Sequence, residues 1–526
     1  MQYNRVSNTV HPVFGCFYRG FPYGKIYLFT PLKKWIPLLL ILRKPNNMQN
    51  RRKFFKGLHM TDYRKEYESK LVSAEKAVMG IRSGDVVDYN FFNGKPVVVD
   101  QALAARHEEL RDVIIYCAVT VPPLPEVIKY QDSFTYNDWH WSKLTRMMQV
   151  MGEPFYSPIM YQRAPHYLRY IDEPKAYRGA NYERPDEHKD TQWVAILQAT
   201  PMDDSGYFNI GPQNSAASAS VEVSDFVIVE VNKNQPVCLG GSEESVHISR
   251  VDYIVEAPEN QMLYDAPLSE PSDVDKKIAE HIMNYIYDGC CIQLGIGGMP
   301  NAVGRLIADS DLKNLGGHTE MFVDAFVDMI ESGRMNGAKK EIDRYRCVYT
   351  FAIGSQKMYE FMHNNPALAS FPVEYTNDPK IICQLSNFVS INNAIEIDLF
   401  SQVNAESNIN GGIPSQVSGN GGMLDFIYGA QWSNNGKSFI CLSSTFTDKD
   451  GKVHSRISPT LDPGLIVTIP RQMVDYVATE YGVVRLTACP TWMRAEKLIS
   501  IAHPDFRDDL IKEAERMRIW RKSNKK

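Results

Sequence analysis

The stretch Cys291-Ile-Gln-Leu-Gly-Ile-Gly-Gly-Met-Pro-Asn301, followed by Gly317-His-Thr-Glu320, indicates the fold more clearly than any other part of the sequence. A short apolar run ends in a cluster of glycines, and a helical segment is predicted to follow. Glycines at a strand end let backbone N–H groups approach a ligand closely and converge on an anion. The pattern therefore predicts a strand–loop–helix unit of an α/β fold.

Glu320 is the candidate reactive group of this unit. The apolar residues after it fall at helical spacing from Val323 to Ile330, and Gly333 would end that helix. Glu320 would then lie at a strand end just before a helix, on the usual ligand edge of an open α/β sheet. A carboxylate placed where glycine N–H groups stabilise developing negative charge favours covalent acyl chemistry, with Glu320 as the nucleophile.

The glycine loop by itself also fits a plain strand-to-helix turn or a nucleotide site. Gly295, Gly297 and Glu320 imitate the dinucleotide pattern G-x-G-x-x-G with an acid roughly 20 residues further on. However, Pro300 occupies the third glycine position, where it removes an N–H and spoils close helix–strand packing. No Gly-Lys-Ser/Thr follows, so the P-loop pattern fails too. A nucleotide site is therefore disfavoured, whereas a plain turn stays open.

The composition is that of an ordinary globular enzyme. A chain of 526 residues with 44% hydrophobic content is too long for one core, so two α/β domains are predicted. Nine cysteines occur singly except for Cys290-Cys291, which fits neither a disulfide framework nor a zinc site. We therefore expect a cytoplasmic protein without a metal.

The first 60 residues differ sharply from the rest. They contain eleven Lys or Arg and no Asp or Glu, which leaves 46 basic against 62 acidic side chains in the remaining chain. An acidic body argues against nucleic acid as a partner. The apolar run between Lys34 and Arg43 is much shorter than the roughly 20 residues that span a bilayer, so no membrane anchor is predicted.

The basic leader has three interpretations. Basic residues on both sides of its apolar run, without a small-residue cleavage pattern, disfavour a secretory signal. An organelle transit peptide would be free of acids, as here, but also rich in serine, and Ser7 is the only serine before residue 60. We favour translation from Met60, with residues 1–59 outside the fold.

Helix and strand patterns alternate after Tyr63. Residues 65–81 and 101–111 are predicted as helices, and residues 96–99 and 113–119 as strands. Further strands are predicted at residues 193–198, 226–231 and 253–256. This β-α-β rhythm predicts a parallel sheet covered by helices. Between the strands, Trp139-His-Trp141 either lines a substrate cavity or packs an aromatic loop.

The second half repeats this rhythm. Residues 257–275 turn to Pro, Glu, Ser and Asp, which marks a linker, so the predicted domains are 60–270 and 271–526. A helix at 275–287 leads into a strand at 290–294, and Pro300 suits the first turn of the next helix. A second glycine cluster, Ser418-Gly-Asn-Gly-Gly-Met-Leu-Asp-Phe426, precedes a strand at 439–442 and by itself fits a flexible polar loop.

An ordered series of stretches resembles the acetyl-CoA hydrolase/transferase family. They are Gly295-Ile-Gly-Gly-Met-Pro300, His318-Thr-Glu-Met321, Val403-Asn-Ala-Glu-Ser407, Gly421-Gly-Met-Leu-Asp-Phe426 and Ala495-Glu-Lys-Leu-Ile-Ser-Ile-Ala-His-Pro-Asp-Phe-Arg507. The resemblance runs from about residue 63 to 511 and is nearest to butyryl-CoA:acetate and 4-hydroxybutyrate CoA-transferases. It implies two α/β domains of the CoA-transferase type, each with a mainly parallel sheet flanked by helices, the second of which carries the catalytic glutamate.

The resemblance also implies the site residues. Glu320 matches the glutamate that forms a glutamyl-CoA thioester. The family's CoA-contacting loop is matched by Gly295, Ile296, Gly297, Gly298 and Met299. Gly421 and Gly422 match a second glycine loop that helps to hold the thioester oxygen. Residues 408–416 make the segment before that loop longer than the family pattern.

Three further residues carry weaker expectations. Lys437 is a candidate for a phosphate or CoA contact, and an exposed lysine in a turn is the plain alternative. His318 either orients Glu320 or bonds its own turn. His503 is predicted to cap a helix.

The implied activity is transfer of CoA from a short-chain acyl-CoA to acetate or another small acid, by ping-pong chemistry. A hydrolase that uses the same glutamate stays open, as does a CoA-binding protein without activity. CoA would be a substrate rather than a permanently bound cofactor, and a homodimer is implied. The preferred acyl group is not implied, since the family's members differ in it.

Overall fold

Two mainly parallel sheets form the framework of the chain. The computed structural model describes residues 62–152, 154–170, 191–259, 261–267 and 270–521, so the predicted leader lies outside the described residues. Helices cover the sheets, and the predicted α/β class is confirmed. None of the helices in the described ranges combines the length and the apolar character that crossing a bilayer requires.

The first sheet has seven parallel strands in the order β4-β3-β2-β1-β5-β6-β7. Its central strands read as apolar runs because helices bury both faces of a parallel sheet. The strands are β1 (Val86–Phe91), β2 (Val113–Ala118), β3 (Phe134–Asp138), β4 (Phe155–Tyr156), β5 (Trp193–Ala199), β6 (Phe226–Val231) and β7 (Tyr253–Glu256).

The strand predicted at residues 96–99 is wrong, because this segment opens a helix, Val98–Ala104. The buried Glu230 carboxylate accepts hydrogen bonds from the N–H groups of Val97 (3.0 Å) and Val99 (2.9 Å), which fixes the first turn. Among the strands that were not predicted is β1, whose apolar pattern is interrupted by buried Asp88 and Asn90. A tertiary contact and buried polar residues thus override the local pattern.

The second sheet has six strands in the order β9-β8-β10-β11-β12-β13, and only its last pair is antiparallel. The predicted strand at 290–294 is confirmed as β8. The strands are β8 (Cys291–Leu294), β9 (Gly316–Gly317), β10 (Phe388–Asn393), β11 (Lys437–Cys441), β12 (Tyr476–Thr479) and β13 (Gly482–Arg485). The first sheet ends at residue 256 and the second starts at 291, and a domain boundary at 270/271 stays a prediction.

The helices between these strands depart from the predictions at two places, and the first is the helix predicted at 101–111, which spans Val98–Ala104 instead. The predicted helix at 65–81 is interrupted after Lys70, and Ser73 caps its second part by accepting from the Lys76 N–H at 3.3 Å. The α-helices of the described residues are α1 (Arg64–Lys70), α2 (Ala74–Ala77), α3 (Val98–Ala104), α4 (Lys143–Met148), α5 (Ala164–Tyr170), α6 (Ala217–Val223), α7 (Asp273–Met283), α8 (Gly298–Asp309), α9 (Asp324–Glu331), α10 (Gln356–Met362), α11 (Val373–Thr376), α12 (Pro379–Ile382), α13 (Met423–Trp432), α14 (Thr491–Ser500) and α15 (Pro504–Arg516).

Short strands outside the two main sheets form separate small sheets. One of them, Met321–Phe322, pairs in parallel with Phe351–Ala352 directly after Glu320. The remaining pairs are Tyr207–Asn209 with Ser245–His247, Cys347–Tyr349 with Leu368–Ser370, Glu396–Asp398 with Val403–Asn404 and Ile457–Ser458, Ser407–Asn410 with Ile413–Gln416, and Thr445–Thr447 with Val453–Ser455. Residues 408–416, which were expected to exceed the family pattern, lie within the β-hairpin of Ser407–Asn410 and Ile413–Gln416.

Candidate active site

A cavity of about 250 Å³ lies where the carboxyl ends of both sheets meet. Parallel strands present their following loops at one edge, which is where α/β proteins bind ligands. The ends of β1, β2 and β3 supply mostly apolar side chains to it, Gly295 and Ile296 follow β8, and the end of β10 supplies Asn392 and Asn393. Its lining includes Phe91, Phe92, Val119, Trp139, His140, Ile159, Tyr161, Leu294, Gly295, Ile296, Glu320, Met321, Phe351, Ile353, Asn392, Asn393, Gly421 and Gly422.

The backbone of Glu320 is held by the neighbouring short strand. Its carbonyl oxygen accepts hydrogen bonds from the N–H groups of Thr350 (3.0 Å) and Phe351 (3.3 Å). The buried Thr319 hydroxyl beside it donates to the carbonyl oxygen of Leu294 at 3.3 Å, which ties this segment to the end of β8. Glu320 therefore enters the cavity from a rigid support, as catalytic groups require.

The Glu320 carboxyl group is half-buried and held from one side. The Asn377 Nδ2 donates to Glu320 Oε2 at 2.6 Å, and the Gly422 backbone N–H faces the same carboxyl. Burial raises the Glu320 pKa to about 7, while the hydrogen bonds from Asn377 and Gly422 lower it. The carboxyl is therefore poised to be both protonated and ionised near neutral pH.

The second glycine loop touches this carboxyl so closely that no side chain fits. An ideal Cβ on Gly422 would lie 1.9 Å from Glu320 Oε2 and 2.1 Å from Asn377 Nδ2. Gly421 has φ +49°, and its Cβ would lie 3.4 Å from Glu320 Oε1. The structure thus brings the loop of residues 421–422 directly against Glu320, although about 100 residues separate them.

A second buried carboxyl lies behind the first. Asp425 is 2% exposed, and its Oδ2 accepts from the Gln162 N–H at 3.1 Å and faces Asn377 Nδ2 at 3.5 Å. Burial raises the Asp425 pKa to about 8, and the Glu320 charge adds to this increase. The Asn377 amide thus joins a carboxyl that titrates near neutral pH to one that stays protonated there.

Sequence reasoning missed Asn377 and gave Asp425 no role. Asn377 is the residue after α11 and lies 57 positions from Glu320, so spacing could not connect the two. The turn residues Asp378-Pro379 next to it were the available signal, and they indicate a helix boundary rather than a site. Asp425 belongs to the second glycine cluster, residues 418–426. Its place in that cluster was the sequence signal that it lies near Glu320.

His318 supports the site indirectly. It is buried, and its Nε2 donates to the carbonyl oxygen of Thr376 at 2.7 Å, so it bonds neither Glu320 nor its own turn. Burial lowers the His318 pKa to about 3, so the ring is neutral. Because Thr376 precedes Asn377, this bond helps to fix the amide that holds Glu320. The other predicted histidine, His503, caps α15 as expected, by accepting from the Asp505 N–H at 3.3 Å.

The first glycine loop divides into two parts. Gly295 and Ile296 line the cavity, and a Cβ on Gly295 would meet nothing within 4 Å. Gly297 has φ +113°, a conformation that favours glycine. Beyond it, a Cβ on Gly298 would lie 2.6 Å from Asp275 Oδ2, and Met299 is buried in the core. The Cβ position of Gly298 and the side chain of Met299 therefore point into the protein and not into the cavity.

Lys437 lies away from the cavity, and its CoA contact stays a prediction. Lys437 begins β11, whereas the cavity lies at the carboxyl ends of the neighbouring parallel strands. Its Nζ donates to the carbonyl oxygen of Asn435 at 3.2 Å and lies 5.2 Å from the centre of the Tyr287 ring. Spacing from Gly436 could not reveal which edge of the sheet this lysine occupies.

Contacts from both halves of the chain fix the loop that carries Gly421. Glu406 accepts backbone hydrogen bonds from Val417 (2.7 Å) and Ser418 (3.2 Å) through its carbonyl oxygen, and its Oε2 accepts from the Tyr156 hydroxyl at 3.1 Å. The Tyr156 oxygen in turn accepts from the Asn420 N–H at 3.2 Å. Both interpretations of the aromatic stretch apply, since Trp139 and His140 line the cavity while Trp141 is buried.

Comparison with known proteins matches both halves of the chain to one family. Residues 56–263 match the acetyl-CoA hydrolase/transferase N-terminal domain, and residues 354–514 match the acetyl-CoA hydrolase/transferase C-terminal domain. The chain is 49% identical over 467 residues to a butyryl-CoA:acetate CoA-transferase of Anaerostipes caccae, covering 88% of this chain and 100% of that protein. It is 46% identical over 463 residues to a probable butyrate:acetyl-CoA coenzyme A-transferase of Syntrophomonas wolfei, covering 88% and 98%. The crystal structure of RipA from Yersinia pestis is similar with a TM-score of 0.74 and 32% identity, covering 87% of this chain and 100% of that one.

Proposed function

Because the chain belongs to the acetyl-CoA hydrolase/transferase family, we propose that it is a CoA-transferase with Glu320 as its covalent nucleophile. It moves CoA from butyryl-CoA, or a similar short-chain acyl-CoA, to acetate or another small carboxylic acid, as the names of the two similar proteins suggest. The observation that carries the proposal is the Glu320 carboxyl, held in the cavity by Asn377 and pressed against Gly422.

The first half of the reaction transfers CoA to the enzyme. A Glu320 oxygen attacks the thioester carbonyl, the C–S bond breaks, and an acyl–glutamyl anhydride and a CoA thiolate result. The thiolate then attacks the glutamyl carbonyl carbon, the anhydride C–O bond breaks, and the free carboxylate leaves. The product is a glutamyl-CoA thioester at Glu320, and no proton is gained or lost in the sum.

The second half reverses these steps with a different acid. Acetate attacks the glutamyl thioester, thiolate leaves, and thiolate attack on the acetyl carbonyl gives acetyl-CoA and restores Glu320. Each attack on the glutamyl carbonyl places negative charge on its oxygen. The Asn377 amide and the Gly422 N–H already face this position, and a donor of this kind contributes about 10²- to 10³-fold in rate.

Protonation of Glu320 controls the first step, because only its ionised form is a nucleophile. Carboxylates and thiolates attack without a separate base, which agrees with a cavity in which Glu320 is the central titrating group. Because the Glu320 carboxylate is buried, it is weakly solvated when it reacts. The same burial raises its pKa to about 7.

The cavity supports a short acyl group. Its volume of about 250 Å³ lies below the roughly 300–1,000 Å³ of sites that enclose a drug-sized ligand, so the bulk of CoA would extend outside it. The apolar side chains of Phe91, Val119, Ile159 and Ile353 line the part that an alkyl chain would occupy.

The proposal is tested with butyryl-CoA in the presence and absence of acetate. We expect acetyl-CoA to form in proportion to the butyryl-CoA consumed, as separated by chromatography. Release of free CoA at the same rate without acetate would identify a hydrolase instead. Binding of butyryl-CoA without any turnover would identify a CoA-binding protein.

Three further properties belong to the same proposal. CoA acts as a substrate and not as a permanently bound cofactor, because the chemistry above needs the enzyme to release it. The cytoplasm is the proposed location, since the eight described cysteines are free thiols, as is usual in a reducing compartment. A homodimer is proposed from the family resemblance alone, and light scattering of the purified protein tests it.

A further inference from the structure

His140 faces Glu320 across the cavity from a fixed position. It follows β3, its backbone N–H donates to Asp138 Oδ1 at 3.0 Å, and its carbonyl oxygen accepts from the Val119 N–H at 3.0 Å. Its ring lines the cavity, with Nε2 3.0 Å from the Ser418 hydroxyl oxygen. One ring nitrogen is therefore engaged by the glycine loop.

The other ring nitrogen, Nδ1, has no hydrogen-bond partner within the ranges that the structure describes, and it lies against the glycine loop, where an ideal Cβ on Gly419 would be 2.7 Å from it. An ideal Cβ on Gly421 would lie 3.4 Å from His140 Nδ1 and 3.4 Å from Glu320 Oε1, so the two atoms are at most about 7 Å apart. Both groups line the same cavity of about 250 Å³. It has room for a substrate oxygen that bonds Nδ1 while its carbon lies within reach of Oε1.

The ring is a neutral donor. Burial lowers the His140 pKa to about 4, so it carries no charge near neutral pH and forms no ion pair with Glu320. When the Ser418 hydroxyl donates to Nε2, the single ring proton lies on Nδ1, and this is the tautomer that the role proposed below requires. A neutral N–H therefore points into the cavity without neutralising the nucleophile.

The proposed reaction needs two sets of oxyanion donors, because two different carbonyl carbons are attacked. Asn377 and Gly422 face the oxygen of the glutamyl group, since they hold Glu320 Oε2. They cannot also serve the carbonyl of the acyl group, which approaches the side of Oε1. His140 Nδ1 lies on that side, within about 7 Å of Oε1.

We propose that His140 is a substrate-binding catalytic residue whose Nδ1–H donates to the acyl oxygen, and to the carboxylate of the incoming acid, at Glu320. The inference rests on the proposed CoA-transferase function. It assigns the recognition of the free acid to a residue from the first half of the chain, whereas the nucleophile and the glutamyl oxyanion donors come from the second.

Two substitutions separate this role from a merely structural one. In His140→Asn the amide nitrogen can occupy the place of Nδ1, whereas in His140→Gln it reaches the place of Nε2 and can only bond Ser418. We expect His140→Asn to keep turnover within about tenfold of the wild type. We expect His140→Gln to lose about 10²-fold in turnover and to raise the KM for acetate about tenfold, with the KM for butyryl-CoA changed less.

The opposite ranking, or equal losses in both variants, would overturn the proposal, because it would show that the contact with Ser418 matters instead. Ser418→Ala is the control for that contact. Without the Ser418 hydroxyl, the ring proton of His140 can occupy either nitrogen. If the two neutral tautomers are then equally populated, we expect turnover to fall by at most about twofold. If the wild type itself transfers no CoA, the proposed function fails rather than the role of His140.

A measurement on the unmodified protein covers the case that either variant fails to fold. In ¹⁵N-histidine-labelled enzyme, His140 is a neutral ring with its proton on Nδ1, whereas His318 carries its proton on Nε2 because that nitrogen donates to Thr376. We expect an Nδ1–H resonance that shifts when sodium butyrate is added at neutral pH. Absence of any neutral Nδ1–H ring that responds to butyrate would contradict the proposal.

Discussion

Replacing Gly422 with alanine is expected to abolish most CoA transfer while leaving the fold intact. The added Cβ would lie 1.9 Å from Glu320 Oε2 and 2.1 Å from Asn377 Nδ2, and real Cβ contacts are essentially never shorter than 3.0 Å. The carboxyl group must therefore move by at least about 1 Å. The φ angle of Gly422 is −94°, which alanine adopts without strain, so the methyl group itself is the perturbation.

The expected loss follows from two effects. A displacement of about 1 Å at the reacting group costs about 10²-fold in rate. Separation of Glu320 from the Gly422 N–H removes an oxyanion donor, which costs a further 10²- to 10³-fold or so when the donor is lost completely. We expect the turnover number of Gly422→Ala to fall by about 10³-fold or more, with a loss of stability of about 1–3 kcal/mol for the added methyl group.

Gly295→Ala provides the contrast. A Cβ there would enter open space in the same cavity, with nothing within 4 Å. We expect this variant to raise the KM for butyryl-CoA and to keep turnover within about tenfold. Steady-state rates with butyryl-CoA and acetate, together with thermal unfolding curves, measure both. Gly422→Ala with turnover within tenfold of the wild type, or Gly295→Ala with as large a loss, would refute the assigned geometry.

Turnover is expected to fall as the pH drops below about 7, because burial raises the Glu320 pKa to about 7 and the protonated form that accumulates below it does not attack. A rate that stays constant from about pH 8 down to pH 5 would contradict this assignment. Asp425→Asn is expected to keep most of the turnover and to show the same loss of turnover at low pH. The reason is that burial raises the Asp425 pKa to about 8, so its carboxyl is mostly uncharged at neutral pH. Inactivity of this variant, with an unchanged thermal unfolding temperature, would show that the Asp425 charge is needed. Initial-rate plots against butyryl-CoA at several acetate concentrations should give parallel lines, as a covalent enzyme intermediate requires, whereas intersecting lines would indicate a ternary complex.

The sequence pattern predicted the strands whose apolar runs are uninterrupted, and it failed where tertiary contacts decide. Residues 113–119, 193–198 and 226–231 read as strands because both faces of a parallel sheet are buried. The strand Val86–Phe91 escaped notice because Asp88 and Asn90 break its apolar run, and both are buried. The segment at 96–99 has β-branched residues but leads into a helix that starts at Val98, because Glu230 accepts hydrogen bonds from its N–H groups.

The site residues divide in the same way, into those that a local sequence pattern reveals and those that only tertiary contacts bring to Glu320. Glu320 and the two glycine loops could be singled out because each stands at a recognisable strand end or glycine cluster. Asn377 could not, since it carries no local pattern and lies 57 positions from Glu320, and His140 was noticed only as part of the aromatic stretch Trp139-His-Trp141, without a role of its own. Lys437 begins β11 and lies away from the cavity, which linear spacing from a glycine could not show, and its CoA contact stays a prediction.

Trapping the enzyme intermediate tests the central claim most directly. The wild-type protein is incubated with butyryl-CoA without an acceptor acid, treated with borohydride, digested, and analysed by mass spectrometry, with Glu320→Gln in parallel. A glutamyl thioester at Glu320 predicts that this side chain alone is reduced to an alcohol in the wild type, and that the Gln variant shows neither reduction nor CoA transfer. Reduction at another residue, or full transfer activity in the Gln variant, would contradict the account.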